Sequence, residues 1–205
     1  MTHLQLIENS RIGLFGGTFD PPHWGHIKAA MGAADELNLD QLAFLPANNP
    51  PHKRDRKFTP IHKRKHMLEL CSGLDQRFRL CMIEAEDDLP GTTLHTVERL
   101  REIGYNEEFC HLIWLMGSDS LHDLPTWHSP ERLLESIEIA IMPRPGYPVD
   151  KAQTQFLKEV RILKTPLVKI SAEEIRSKQV RLGEAVPAPV AEYIIKNCLY
   201  GFAPD

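Results

Sequence analysis

Short apolar runs alternate along the chain with stretches in which apolar residues recur every three or four positions. The runs at 11–15, 41–45, 78–83, 108–116, 137–142 and 166–170 read as strands. Most are apolar at successive positions, as strands buried on both faces are. Helical spacing runs from Trp24 through Ile27, Ala29, Ala30, Met31 and Ala34, and again through Ile61, Arg64, Met67, Leu68 and Cys71. It recurs through Thr96, Val97, Leu100 and Ile103, from Ser129 onward, weakly over 151–160, from Ser171 to Arg176, and over 186–200. Start signals agree: Thr59 as N-cap before Pro60, Thr92 or Thr93 as N-cap, and Ser171 with Glu173 or Glu174 placed to cap. Strand, helix, strand repeated end to end predicts an α/β fold, a parallel sheet with helices on both faces. No repeat or long linker interrupts it, so residues 1–205 read as one domain: a core over 10–185 and a C-terminal helix over 186–205 packed on it.

The chemistry concentrates where strands end. Gly16, Gly17 and Thr18 follow the first strand at once. A glycine pair there lets a ligand approach the backbone and offers N–H groups to an anion. Asp20-Pro21-Pro22 cannot be helical, so the first helix starts near Trp24. His23 then stands just ahead of a helix N-terminus and His26 in its first turn, where free N–H groups favour a phosphate. Two histidines three apart could also be surface residues or zinc ligands, but no cysteine or acidic pair with ligand spacing accompanies them, and no metal site is expected.

Composition narrows the class. The 205 residues are 42% hydrophobic and 25% charged, with a net charge of −4. That balance argues against a nucleic-acid-coating surface. No signal peptide and no membrane-spanning run is read, and the four scattered cysteines (Cys71, Cys81, Cys110 and Cys198) form no C-x-x-C. A reducing cytoplasm is the expected setting.

Residues 52–66 carry seven Lys or Arg and one Asp, and most of these charges are expected on a solvated loop and helix. Lys53 is the exception, because it follows a Pro-rich loop at the sheet's C-terminal edge. Residues 84–91 read as an acidic loop whose carboxylates could ligate a metal, with a solvated loop the preferred reading. Gly117-Ser118-Asp119 after the longest apolar run is a second strand-to-helix ligand loop, in which Asp119 could also cap. Trp127 reads as core from periodicity, and Arg144, at the end of a strand, is either a surface charge or a residue of the pocket or its loop.

The string G-G-T-F-D-P-P-H-x-G-H at 16–26 resembles the H-x-G-H signature of the nucleotidyltransferase superfamily, and within it the bacterial nicotinate-nucleotide adenylyltransferases. The resemblance extends from Arg11 to Tyr200 through P-x-H-K at Lys53, G-x-D at Asp119, L-x-x-W at Trp127, R-P-G-Y at Arg144 and I-S-x-x-x-I-R at 170–176. It implies a Rossmann-like fold and attack by the phosphate of nicotinate mononucleotide on the α-phosphorus of Mg-ATP, giving deamido-NAD and pyrophosphate. It implies catalytic roles for His23, His26, Lys53 and Arg176. It places Gly16, Gly17, Thr18, Phe19, Gly117, Asp119 and Ser171 on ATP, and Thr92, Thr93, Trp127 and Arg144 on the mononucleotide. Mg²⁺ would be the cofactor, carried by ATP. ATP and the mononucleotide are the expected partners, without nucleic acid or membrane, and a homo-oligomer stays open. Two positions depart from the pattern: Thr92 replaces a frequent Tyr, and Glu173 replaces a Thr. The competing readings are a sister enzyme acting on nicotinamide mononucleotide or phosphopantetheine, and a non-catalytic nucleotide-binding regulator.

Overall fold

The computed structural model describes residues 3–47, 58–86, 91–152 and 155–204. The contact expected of Lys53 therefore lies outside the described residues, as does 87–90 of the acidic loop. Six strands form one sheet in the order β3-β2-β1-β4-β5-β6, every pairing parallel. They are β1 (Ser10–Gly17), β2 (Gln41–Pro46), β3 (Phe78–Leu80), β4 (Cys110–Gly117), β5 (Glu138–Met142) and β6 (Arg161–Ile162). The alternation seen in the sequence thus yields the Rossmann-like α/β sheet.

Both faces are covered, because alternate residues of a buried strand must each meet apolar partners. Ile12 and Leu14 of β1 enter one core, with Leu94, Val97 and Leu100 of α4 (Thr93–Glu102) and Leu133 of α6 (Pro130–Ser136). Phe15 enters the other, with Ile27, Ala30 and Ala34 of α1 (Trp24–Glu36), Met67 and Leu68 of α2 (Ile61–Glu69), and Val190 and Ile194 of α9 (Ala188–Lys196). The remaining helices are the short α3 (Ile83–Glu86), α5 (Ser118–Asp123), α7 (Ala172–Arg176) and α8 (Leu182–Ala185). Among the described residues no helix is long and apolar enough to cross a membrane.

Four expectations need correction. The apolar run at 78–83 is a strand only to Leu80; Cys81, Met82 and Ile83 are buried while the chain turns into α3. A short apolar run does not distinguish strand from buried helical turn. No strand forms at 166–170, since the sheet's last place belongs to β6, Pro166 has no N–H to donate, and Ile170 N–H bonds Val168 O instead. Where 151–160 is described, the chain makes two 3₁₀ turns, Val149–Lys151 and Gln155–Lys158, anchored by buried Ala152 and Phe156. Two anchors do not sustain an α-helix, whose stability comes mainly from packing an apolar face. The C-terminal helix ends at Lys196, and Cys198 and Tyr200 take positive φ in a turn that folds Tyr200 back toward β1.

From β1 the sheet grows through β2 to one side and through β4 to the other. This reversal opens a crevice beyond the C-terminal ends of β1 and β4, where open α/β sheets bind ligands.

Candidate active site

A cavity of about 1170 Å³ occupies that crevice. Gly16 and Gly17 from β1, Gly117 from β4 and the start of α1 line it. Two of these glycines are required by close approach. A Cβ on Gly16 would come 2.7 Å from Trp114 Cζ2, and one on Gly117 would come 2.3 Å from Asp119 Oδ1 and 2.5 Å from Arg144 Cδ.

His23 is the N-cap of α1. Its Nδ1 accepts the N–H of Gly25 at 3.1 Å. An accepting Nδ1 places the proton on Nε2 in the neutral ring. The side chain is 2% exposed, and burial, with the charges of Arg144 and Arg176, lowers its pKa to about 3. The ring is therefore a neutral donor, and its buried Nε2 has no hydrogen-bond partner among the described residues. Such a donor costs roughly 1–3 kcal/mol until something accepts from it. The His26 ring lies 3.7 Å from that of His23, centroid to centroid, tilted by 31°. Phe19, at φ 48°, packs edge-on against His26 at 5.1 Å and is itself fully buried, so it braces the imidazole.

The titration of His23 has a direct consequence. Below pH 6.5 the unfolded chain binds a proton that folded His23 refuses until about pH 3. Stability present above pH 6.5 is therefore lost as pH falls, at about 1.4 kcal/mol per unit from this group. Urea unfolding at pH 6.5 and 5 should show the wild type losing roughly 2 kcal/mol more than His23→Asn, a variant that keeps a capping acceptor. Equal losses would contradict the buried neutral imidazole.

The far wall is built by β4 and β5. Asp119, in the first turn of α5, accepts from Arg144 Nη1 at 2.6 Å, and the Arg144 N–H donates to Ser118 Oγ at 2.8 Å. Trp127 is half-buried, packs against the α4-side core and also lines the cavity. Thr92 is the N-cap of α4 by backbone, but its hydroxyl pairs with His95 Nδ1 at 2.6 Å rather than capping. Ser171 forms the expected capping box with Glu174 at the start of α7 and reaches the cavity wall.

The structure brings Gly16, Gly17, Thr18, Phe19, His23, His26, Thr92, Thr93, Gly117, Asp119, Trp127, Arg144 and Ser171 to this one cavity. Arg176 is not on its wall. Its Nη1 donates to Asp20 O at 2.5 Å, and its charge is felt by His23.

Two charged residues escaped the sequence reading. Arg64, expected among solvated charges, is 2% exposed. Its Nε donates to Thr59 O at 2.8 Å, and its Nη1 to Thr18 O and Ala47 O, each at 2.8 Å. One guanidinium thereby ties the glycine turn to the end of β2 and the start of α2. Thr59 serves this arrangement and not the helix, for which Pro60 is the N-cap without a side-chain bond. The signal was the spacing, which puts Arg64 on the apolar face with Met67 and Leu68. Glu84, expected in a solvated loop, lies in α3 and lines the cavity, and accepts from Thr96 Oγ1 at 3.0 Å; burial pushes its carboxyl pKa up.

Comparison with known proteins agrees with this geometry. Residues 14–178 match the cytidylyltransferase-like family. A protein of Thermomicrobium roseum described as a probable nicotinate-nucleotide adenylyltransferase is 40% identical over 201 residues, 93% of this chain and 92% of its own length. A Bacillus pumilus protein of the same description is 35% identical over 193 residues, covering 93% and 98%. The solved Plasmodium falciparum nicotinic acid mononucleotide adenylyltransferase complexed with APC superposes with a TM-score of 0.75 at 19% identity, over 95% of this chain and 98% of that one. Its complex with NaAD gives 0.74 at 20%, over the same shares. At such identities the likeness establishes the fold.

Proposed function

Because this chain belongs to the cytidylyltransferase-like family and, within it, to the nicotinate-nucleotide adenylyltransferases, we propose that its cavity transfers the adenylyl group of ATP to nicotinate mononucleotide. A phosphate oxygen of the mononucleotide attacks the α-phosphorus of ATP. The new P–O–P bond makes deamido-NAD, and the α–β bridge breaks to release pyrophosphate. No protein nucleophile is needed, since the acceptor supplies it. The observation that carries this reading is the buried Nε2–H of His23, held at the end of β1 beside the glycine amides.

Such a transfer is mostly positioning and charge stabilisation. His23 donates to a phosphate oxygen through Nε2–H, and His26, its ring 3.7 Å away, acts on the same group. The backbone of Gly16–Phe19 holds the α and β phosphates, with Ser171 also toward the triphosphate and Gly117 and Asp119 toward the adenosine. Trp127 forms the wall for the pyridine ring, with Thr92, Thr93 and Arg144 around the acceptor. Arg176 acts at a remove, holding Asp20 and adding positive charge behind His23. Lys53 is assigned to the leaving pyrophosphate from its sequence position. Mg²⁺ belongs to the substrate as Mg-ATP, since that ion prefers phosphates and water. We place the protein in the cytoplasm, a setting supported by four cysteines without a disulfide.

The test is the fate of label. With [α-³²P]ATP the radioactivity should enter the dinucleotide, and with [γ-³²P]ATP it should leave as pyrophosphate. Transfer of the γ label to the acceptor would contradict the proposal.

A further inference from the structure

Asp20 is 2% exposed and held from three sides. Its Oδ1 accepts from Tyr200 Oη at 2.6 Å, its Oδ2 from the Thr59 N–H at 3.2 Å, and its carbonyl from Arg176 Nη1 at 2.5 Å. Tyr200 Oη also accepts from Thr59 Oγ1 at 3.2 Å. The tyrosine comes from the far end of the chain, in the turn Leu199–Gly201, at φ 55°. Only Pro21 and Pro22 separate Asp20 from His23, and their rings fix φ, so a displacement of Asp20 passes to the imidazole with little loss.

We propose that Tyr200 is a positioning residue for the adenylyl transfer: through Asp20 and the Pro21-Pro22 segment, its hydroxyl sets where His23 presents Nε2–H. The inference rests on the reaction proposed above. It gives the C-terminal segment a catalytic consequence beyond covering the core. Burial and the neighbouring Asp20 carboxylate push the phenol pKa up, so the hydroxyl stays protonated and the contact persists across the working pH range.

Tyr200→Phe removes one oxygen and keeps the ring. Active-site placement errors of about 1 Å cost up to about 10²-fold in rate, so kcat should fall about tenfold or more, with KM for Mg-ATP changed less than about twofold. Thr59→Val, which frees Tyr200 from its other side and leaves the backbone N–H on Asp20, should lower kcat about threefold in the same sense. The ¹⁵N spectrum of the His23 ring should show one tautomer in the wild type and a mixture in Tyr200→Phe. A merely structural tyrosine would reduce the melting temperature and the active fraction while leaving kcat per active site and the tautomer unchanged. Wild-type turnover separates the two claims. If the wild type makes deamido-NAD and both variants match it per active site, the positioning role is wrong; if the wild type makes none, the reaction itself is wrong.

Discussion

Replacing His26 by Ala is expected to lower kcat by roughly 10²–10³, the loss typical of removing one group that stabilises transition-state charge. His26 lies in the first turn of α1, its ring against that of His23, and both residues line the cavity beyond β1. Charge shifts toward the bridging and leaving oxygens as the α–β bond breaks, so a group aimed there affects turnover more than ground-state binding. Phe15 and Phe19 pack edge-on against the ring at 6.1 and 5.1 Å. Truncation leaves those aromatics in place, and the variant should unfold cooperatively near the wild-type temperature. Steady-state pyrophosphate release and a thermal melt check both halves. Near-normal turnover in a folded variant would sink the assignment of His26.

Arg64→Met is expected to destabilise the protein by roughly 3–5 kcal/mol, the range for removing one partner of a buried charge interaction. Met keeps the stem and its contacts with α2 and the sheet. What disappears is the donor to three carbonyls, Thr18, Ala47 and Thr59, and the positive charge that faces the Asp20 carboxylate. Three half-buried carbonyls would then lose their donor, and the buried Asp20 carboxylate would keep Tyr200 Oη and the Thr59 N–H but lose its nearest compensating charge. Arg64→Lys should recover only part of the loss, because one ammonium lacks the planar fork that reaches three segments. Urea unfolding of the three proteins decides it, and a loss under about 1 kcal/mol for Arg64→Met would show that the guanidinium is not a structural tie.

The strands that carry the site were legible because the same physics writes both pattern and place. β1 and β4 are largely apolar runs, as central parallel strands must be, and each carries near its C-terminal end a glycine, Gly16 or Gly117, whose Cβ would collide with a neighbouring side chain. His23 and His26 follow the end of β1, Asp119 that of β4 and Arg144 that of β5, so strand position brought these four to one crevice, whereas Trp127 reaches it from beyond α5. Edges were less legible. Residues 78–83 and 166–170 are apolar enough for strands, and only the sheet's pairing decides where one stops. Arg64 was misjudged because a run of basic residues looks solvated, although its helical phase points inward. The reach of Tyr200 to Asp20 spans nearly the whole chain, and no local pattern encodes a contact of that range. Arg176 matched its motif and yet reaches the Asp20 carbonyl without lining the cavity, since a motif fixes position in the chain and not the atom a long side chain finds first.

The measurement that bears most directly on the central claim is pyrophosphate release from Mg-ATP with three acceptors: nicotinate mononucleotide, nicotinamide mononucleotide and phosphopantetheine. Release with nicotinate mononucleotide at a kcat/KM well above the other two is the predicted result, with deamido-NAD as the second product. Release with phosphopantetheine alone, or tight ATP binding with no release from any acceptor, would contradict it.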